Sequence, residues 1–303
     1  MTFPQKVGIR EVGPRDGLQN ESVIVPTRRK VEWMEKLLDA GIRYLEVSSF
    51  VSPKWIPALA DAEDVFRMLP KRTGVTYAAL VPNAKGLERA LQADVDEVSL
   101  FVSASDTHNR RNVNRPVEQS LRELRPVAEE ALAAGKSVRG YISMVFGCPY
   151  EGKISIGTVE RTAHALLDMG VRELSLGDTI GIAHPRQVTR VIRQLKTTIP
   201  SGKMALHFHN TRGLALANTM AALEQNIQFF DGAAGGLGGC PYAQGAAGNI
   251  ATEDLVYLLE QSGIQTGINV NQLVQAAGFI KPHIGGRLSS FQASLNEEGE
   301  DGA

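Results

Sequence analysis

Only two cysteines occur in the 303 residues, Cys148 and Cys240, and they lie far apart. That excludes a disulfide framework and fits free thiols in a reducing cytoplasm. A charge excess of either sign is also missing. With 32 Lys and Arg against 33 Asp and Glu, the formal net charge is -1. No basic face or run offers itself to nucleic acid, so an anionic ligand has to be met by local charges. Long apolar runs are absent, which excludes a bilayer-spanning helix. The start, Met1-Thr2-Phe3-Pro4-Gln5-Lys6-Val7, has no apolar core of a signal peptide and runs into a strand-like segment, so a cytoplasmic protein is expected. No G-x-x-x-x-G-K frame can be drawn through the dense glycine run of residues 234–248, and no G-x-G-x-x-G turn follows the first strand. These absences remove a phosphate loop there and count against a doubly wound dinucleotide fold.

What the chain does have is glycine in one place. The stretch Ala234-Gly-Gly-Leu-Gly-Gly-Cys-Pro-Tyr-Ala-Gln-Gly-Ala-Ala-Gly-Asn249 sets Cys240 among glycines and puts an amide nine residues on. Glycine costs backbone entropy when ordered, so this density marks unusual dihedrals, close approach to a ligand, or freedom to move. A linker would be filled with serine and charge rather than Cys240, Pro241 and Tyr242. The stretch reads as a mobile lid that places a thiol over an active site.

Around it, short apolar runs alternate with stretches of helical periodicity. Expected strands are Val7–Val12, Tyr44–Ser48, Val75–Leu80, Glu97–Val102, Val138–Phe146, Glu173–Leu176, Met204–His209 and Phe229–Ala233. Helical periodicity covers Arg28–Ala40, Leu121–Ala134, Val159–Met169, Pro185–Leu195 and Leu214–Gln225. Glycines 41, 135 and 170 sit just past helices and before strands. Eight such units predict an α/β fold, a (β/α)8 TIM barrel with a short C-terminal helical extension. One domain is expected over 1–288, and the acidic, apolar-poor end predicts a disordered tail over 289–303.

Polar residues gather where such barrels keep their chemistry, at the C-terminal ends of strands. His207-Phe208-His209 closes the seventh strand, and period two points both imidazoles to one side. That is half of a metal site, against the plainer reading of one core histidine. Asp16 follows the first strand, onto which the eighth closes, and Asn249 brings an amide oxygen. Two nitrogens with oxygen ligands suit Mg²⁺ or Mn²⁺ better than structural zinc, while Cys240 keeps Zn²⁺ open. Arg15, beside Asp16, supplies the fixed cation that a developing oxyanion needs, unless the two form only a surface ion pair. Glu46, a carboxylate in an apolar strand, needs a partner if buried, and Arg15 is the one in view. Arg110, Arg111 and Arg115 are either a phosphate-binding group or a solvated cluster.

Five stretches together carry a family resemblance. They are Glu11-Val-Gly-Pro-Arg-Asp-Gly-Leu-Gln-Asn-Glu21, Ser49-Phe-Val-Ser-Pro-Lys-Trp55, Gly147-Cys-Pro-Tyr-Glu-Gly-Lys153, Leu176-Gly-Asp-Thr-Ile-Gly181, and Gly236-Leu-Gly-Gly-Cys-Pro-Tyr-Ala-Gln-Gly245 through Ala251-Thr-Glu-Asp-Leu-Val256. From about Val7 to about Gly267 the chain resembles hydroxymethylglutaryl-CoA lyase. The resemblance implies metal-dependent cleavage of 3-hydroxy-3-methylglutaryl-CoA to acetyl-CoA and acetoacetate. It implies Asp16, His207, His209 and Asn249 as metal ligands, Arg15 as oxyanion stabiliser and Cys240 as the loop cysteine that delivers or relays a proton. Glu46, Tyr141, Ser175 and Asp178 match positions around the acyl group, with His207 and Asp178 as the two candidates for taking the first proton. A homodimer is what the family suggests. Two positions depart from the pattern. After His209 the family has Asp-Thr-Tyr-Gly where this chain has Asn210-Thr-Arg-Gly213. Either a related 3-hydroxyacyl-CoA is the substrate, or these side chains only repack. A catalytically silent acyl-CoA or metal-binding barrel is the reading of another class, and it has no need of a loop thiol.

Overall fold

The computed structural model describes residues 3–240, 243–285 and 287–300, with the side chains of 20, 239–247 and 296–300 left aside. Eight parallel strands close in chain order: β1 (Gly8–Glu11), β2 (Tyr44–Ser49), β3 (Thr76–Leu80), β4 (Glu97–Ser103), β5 (Ser137–Ser143), β6 (Glu173–Asp178), β7 (Met204–Phe208) and β8 (Phe229–Gly232). The seam runs from Gly8 opposite Phe229 to Glu11 opposite Gly232. This is the expected (β/α)8 barrel. Its outer ring is α1 (Thr27–Asp39), α2 (Ala62–Met68), α3 (Ala84–Gln92), α4 (Asp106–Val113), α5 (Val117–Ala133), α6 (Ile156–Leu167), α7 (Pro185–Leu195), α8 (Ala215–Leu223) and α9 (Thr252–Gln261). The glycine-rich stretch carries two short antiparallel strands, β9 (Gly239–Cys240) and β10 (Ala243–Ala247). The helical extension is α10 (Val270–Ile280), which Asn269 caps by accepting from Gln272 N at 3.0 Å, followed by α11 (Phe291–Glu300).

All eight expected strands form, because strand alternation separates two cores. Leu174 and Leu176 of β6, Leu206 and Phe208 of β7 and Phe230 of β8 face the helices. On α1 the stripe Trp33, Met34, Leu37 and Leu38 is at most 1% exposed, and each side chain stabilises by about 1.5–3 kcal/mol on burial. Gly41, after α1, has φ 106°, and a Cβ there would lie 2.5 Å from the Gly267 carbonyl oxygen, so the turn needs glycine.

Inside the barrel the phase is polar rather than the usual layers of Val, Ile and Leu. Arg10 donates to Glu173 at 2.7 Å, Arg139 to Glu173 at 2.8 Å and to Asp231 at 2.5 Å, and Tyr44 and Ser137 each to Glu97 at 2.7 Å. Arg139 and Asp231 are fully buried and satisfy each other, which is what makes burial of either tolerable.

Two expectations change. Strand β5 stops at Ser143 rather than Phe146, because Met144 takes φ 62° and its N–H goes to Thr179 Oγ1 at 3.0 Å, ending the ladder. The segment expected to be disordered is helical over Phe291–Glu300. Asp254 accepts from the N–H groups of Phe291 and Gln292 at 3.0 and 2.9 Å, and Ser290 Oγ accepts from Ala293 N at 3.1 Å. Composition missed this anchor because it lies on α9. Residues 301–303 are outside the described residues. Among the described residues no helix is long and apolar enough to cross a membrane.

Candidate active site

The turn after β1 winds tightly, with the N–H groups of Arg15 and Asp16 both on the Val12 carbonyl, at 3.1 and 2.7 Å. It aims both side chains over the barrel mouth. Arg15 is 6% exposed and donates through Nε to Glu46 Oε2 and through a terminal nitrogen to Asp16 Oδ1, both at 2.5 Å. Tyr141 donates to the same Glu46 oxygen at 3.1 Å, and its ring lies between two guanidiniums, 5.2 Å from Arg15 and 4.7 Å from Arg139. Burial works against the Arg15 charge, but Glu46 and then Asp16 outweigh it and raise its pKa. The result is a cation of fixed direction.

Across the mouth, β7 carries His207, and His209 follows its end. The glycine-rich stretch returns alongside, with Ile250 N on the Phe208 carbonyl at 3.0 Å, which sets Asn249 opposite His209. One ligand atom each from Asp16, His207 and His209 lies within 4.8 Å of the others. Asn249 Nδ2 donates to Asp16 Oδ2 at 2.8 Å and to the Leu237 carbonyl at 3.0 Å, so its oxygen is the atom left with lone pairs to offer. His207 Nδ1 donates to Asp231 Oδ2 at 3.2 Å, which leaves Nε2 as the free nitrogen, 3.9 Å from Asp16 Oδ2. His209 Nδ1 is buried with no hydrogen-bond partner among the described residues.

The electrostatics agree. Burial opposes the Asp16 charge, but Arg15, His207 and His209 pull its pKa down to about 2. Burial, then the neighbouring His207, lowers His209 to about 3 and keeps it neutral. For His207, burial is outweighed by Asp231 and then Asp16, and the pKa rises. An ionised carboxylate, a neutral imidazole with an orphaned buried nitrogen and a second imidazole locked in one tautomer fit a divalent cation.

Comparison with known proteins matches the chain to a family. A family model described as HMGL-like matches residues 6–280. The hydroxymethylglutaryl-CoA lyase YngG of Bacillus subtilis is 52% identical over 96% of this chain and 97% of its own. The crystal structure of the Bacillus subtilis HMG-CoA lyase superposes with a TM-score of 0.97 at 51% identity, over 98% of this chain and 100% of that one. The chain belongs to the hydroxymethylglutaryl-CoA lyase family. A further lyase structure, from Acinetobacter baumannii in complex with coenzyme A and 3-methylmalate, has a TM-score of 0.92 and 40% identity over 97% of this chain and 96% of that one.

Within the frame of an HMG-CoA lyase the remaining expected residues divide. Arg15, Glu46 and Tyr141 stand together beside Asp16, His207, His209 and Asn249. Ser175, the register partner of Tyr141 on β6, donates away from that group to Asp231 Oδ2 at 2.7 Å. Asp178 falls in the other strand phase, and its oxygens accept from Ile182 N at 2.9 Å and Ala183 N at 3.1 and 3.2 Å. Burial raises its pKa to about 6, but its lone pairs hold the loop after β6. The Cys240 side chain is outside the described residues.

The two departures from the lyase pattern both turn to backbone. Asn210 Oδ1 accepts from Ala215 N at 3.3 Å at the start of α8, and Arg212 donates to the Ile180 carbonyl at 2.7 Å. Of the arginines on and after α4, Arg110 pairs with Asp106 at 2.8 Å, Arg115 pairs with Glu123 at 3.1 Å, and Arg111 lies 4.2 Å over the Tyr150 ring. Sequence reasoning missed Asp231 and Arg139. The signal was a lone cation in the apolar run Val138-Arg-Gly-Tyr-Ile142, which a strand can bury only with a partner.

Proposed function

We propose that this chain cleaves 3-hydroxy-3-methylglutaryl-CoA to acetyl-CoA and acetoacetate, with a Mg²⁺ or Mn²⁺ ion held by Asp16, His207, His209 and Asn249. The convergence of Asp16, His207 and His209 beside Arg15 carries the reading. When bound, the cation supplies Lewis acidity to the substrate's hydroxyl and carboxylate oxygens.

The chain's own residues do the rest. Breaking the carbon–carbon bond puts negative charge on the thioester oxygen, and Arg15 meets it with a guanidinium already oriented by Glu46 and Asp16, so no reorganisation is needed. Tyr141 faces that guanidinium with its ring centroid 5.2 Å away and donates to the Glu46 oxygen that holds it. Of the two candidates for the hydroxyl proton, Asp178 has its oxygens engaged by the loop after β6, and His207, as a ligand through Nε2 with Nδ1 on Asp231, has no nitrogen left for it. Asp231 then raises the basicity of the ligand nitrogen, and the hydroxyl proton goes to a group other than these two. Cys240 is the group we assign to protonate the enolate.

Product formation from the purified protein tests this. Acetyl-CoA and acetoacetate are expected with Mg²⁺ or Mn²⁺ added and not after chelation. No turnover with metal demonstrably bound would move the substrate to another 3-hydroxyacyl-CoA. Nothing at Asn210 or Arg212 favours that second reading, since both bind backbone.

A further inference from the structure

Residues 234–237, which lead from β8 into the glycine-rich stretch, are gripped from three sides by parts far apart in sequence. From the end of β1, Glu11 Oε1 accepts from Ala234 N at 3.0 Å and from Gly13 N at 2.8 Å, and Thr252 donates to its other oxygen at 2.6 Å. From the first turn of α9, Glu253 receives Gly235 N on both oxygens, at 2.9 and 3.0 Å. From the segment after α10, Ser289 N donates to the Gly235 carbonyl at 2.9 Å and Ser289 Oγ to the Gly236 carbonyl at 3.1 Å. Gly235 and Gly236 have φ 75° and 64°, and a Cβ on either would run into Leu288 or Ser289. The segment after α10 passes over the root of the loop at a point only glycine leaves open.

None of these groups has a part in the chemistry above, yet Glu11 and Glu253 are fully buried. Burial raises Glu11 to about 7 and Glu253 to about 8, a cost with no return unless the segment they hold matters. It leads to the metal centre. The Leu237 carbonyl accepts from Asn249 Nδ2, the same nitrogen that donates to Asp16 Oδ2. The Leu237 side chain also lies so close to Gly17 that a Cβ there would meet it at 2.8 Å.

We propose that Glu11, Glu253 and Ser289 are positioning residues of the metal centre, fixing the backbone of Ala234–Leu237 and, through the Leu237 carbonyl, Asn249 beside Asp16. This rests on the reading of Asp16, His207, His209 and Asn249 as the ligand set. It makes the C-terminal extension a working part of the site.

The test is direct Mn²⁺ binding to the full chain, read from the free-Mn²⁺ paramagnetic resonance signal and needing no turnover. Glu253→Ala and Ser289→Ala are expected to weaken Mn²⁺ binding by about tenfold, as loss of an outer partner of a ligand does. Glu253→Gln keeps an oxygen for Gly235 N–H and is expected to stay within about twofold of the parent. A purely structural role would lower thermal midpoints without ordering the affinities in this way. Parent-like Mn²⁺ binding in Glu253→Ala and Ser289→Ala overturns the proposal, and Ser289→Ala alone decides if Glu253→Ala does not fold. Asp16→Asn separates the two readings. If it binds Mn²⁺ as the parent does, the ligand set is wrong and the proposal falls with it. If it loses binding while Ser289→Ala does not, only the positioning role falls.

Discussion

Replacing Asp231 by asparagine removes one negative charge from a position without access to water and leaves the side-chain size unchanged. Of the three groups that donate to Asp231, namely Ser175, Arg139 and His207, the last two carry the measurable effects. Arg139, itself fully buried, holds Glu173 at 2.8 Å and Asp231 at 2.5 Å. Taking one partner from a buried ion pair costs about 3–5 kcal/mol. Because Glu173 stays and an amide oxygen still accepts one bond, the lower end applies, about 3 kcal/mol. For a chain of this length that is about 5 °C in thermal midpoint. The second neighbour is His207, whose Nδ1–H loses its charged acceptor at 3.2 Å, so tautomer and ring orientation are no longer fixed. Metal affinity is then expected to fall about 10–100-fold. Arg139 and His207 hold the Asp231 carboxyl far below the usual range, so its contribution is fully present at neutral pH and lost only in strong acid. Urea unfolding of the metal-free protein and Mn²⁺ titration read the two effects separately. A variant within about 1 kcal/mol and about threefold in Mn²⁺ affinity would refute the argument, since Arg139 would then be balanced and His207 oriented by other groups.

Two further outcomes follow from the site. Arg15→Gln should lower kcat by about 10²–10³-fold with Mn²⁺ saturating, and Arg15→Lys should not restore it, because one ammonium cannot serve Glu46 and Asp16 with a guanidinium's geometry. Recovery by lysine, measured as kcat, would reduce Arg15 to a point charge. Glu11 and Glu253 keep protons up to about pH 7 and about pH 8, whereas carboxyls in the unfolded chain release them near 4.5. Between those values the folded state binds more protons, so stability falls as pH rises through the window, and Glu253→Gln should flatten the slope in chemical denaturation from about pH 5.5 to 8.5. Equal slopes in both proteins would place the dependence elsewhere.

The sequence carried the barrel because strand alternation and helix punctuation are local. Val138-Arg-Gly-Tyr-Ile142 states its period whatever surrounds it. The centre was legible for a similar reason, since His207 and His209 share a face by spacing alone and Asp16 is brought near by barrel closure. What stayed hidden depends on which side of a strand a residue takes at its last turn. Asp178 ends β6 as His207 nearly ends β7, but one more step of the pleat turns its carboxylate to the loop backbone. Asp231 and Glu253 look like ordinary strand-end and helix-start acids, and their partners are set by tertiary contacts. The helix at Phe291–Glu300 was invisible to composition because Asp254, its anchor, lies 37 residues before Phe291.

The polar interior also unsettles the usual division of labour between the two ends of such a barrel, stability at the floor and chemistry at the rim. Here Arg10, with 21% of its side chain reached by solvent at the floor, touches Glu173, which touches Arg139, then Asp231, then His207. Alternating charges thus run from water at one end to the His207 imidazole at the other with no apolar layer to insulate them. A substitution that neutralises Arg10 therefore reaches the proposed metal centre from the far side.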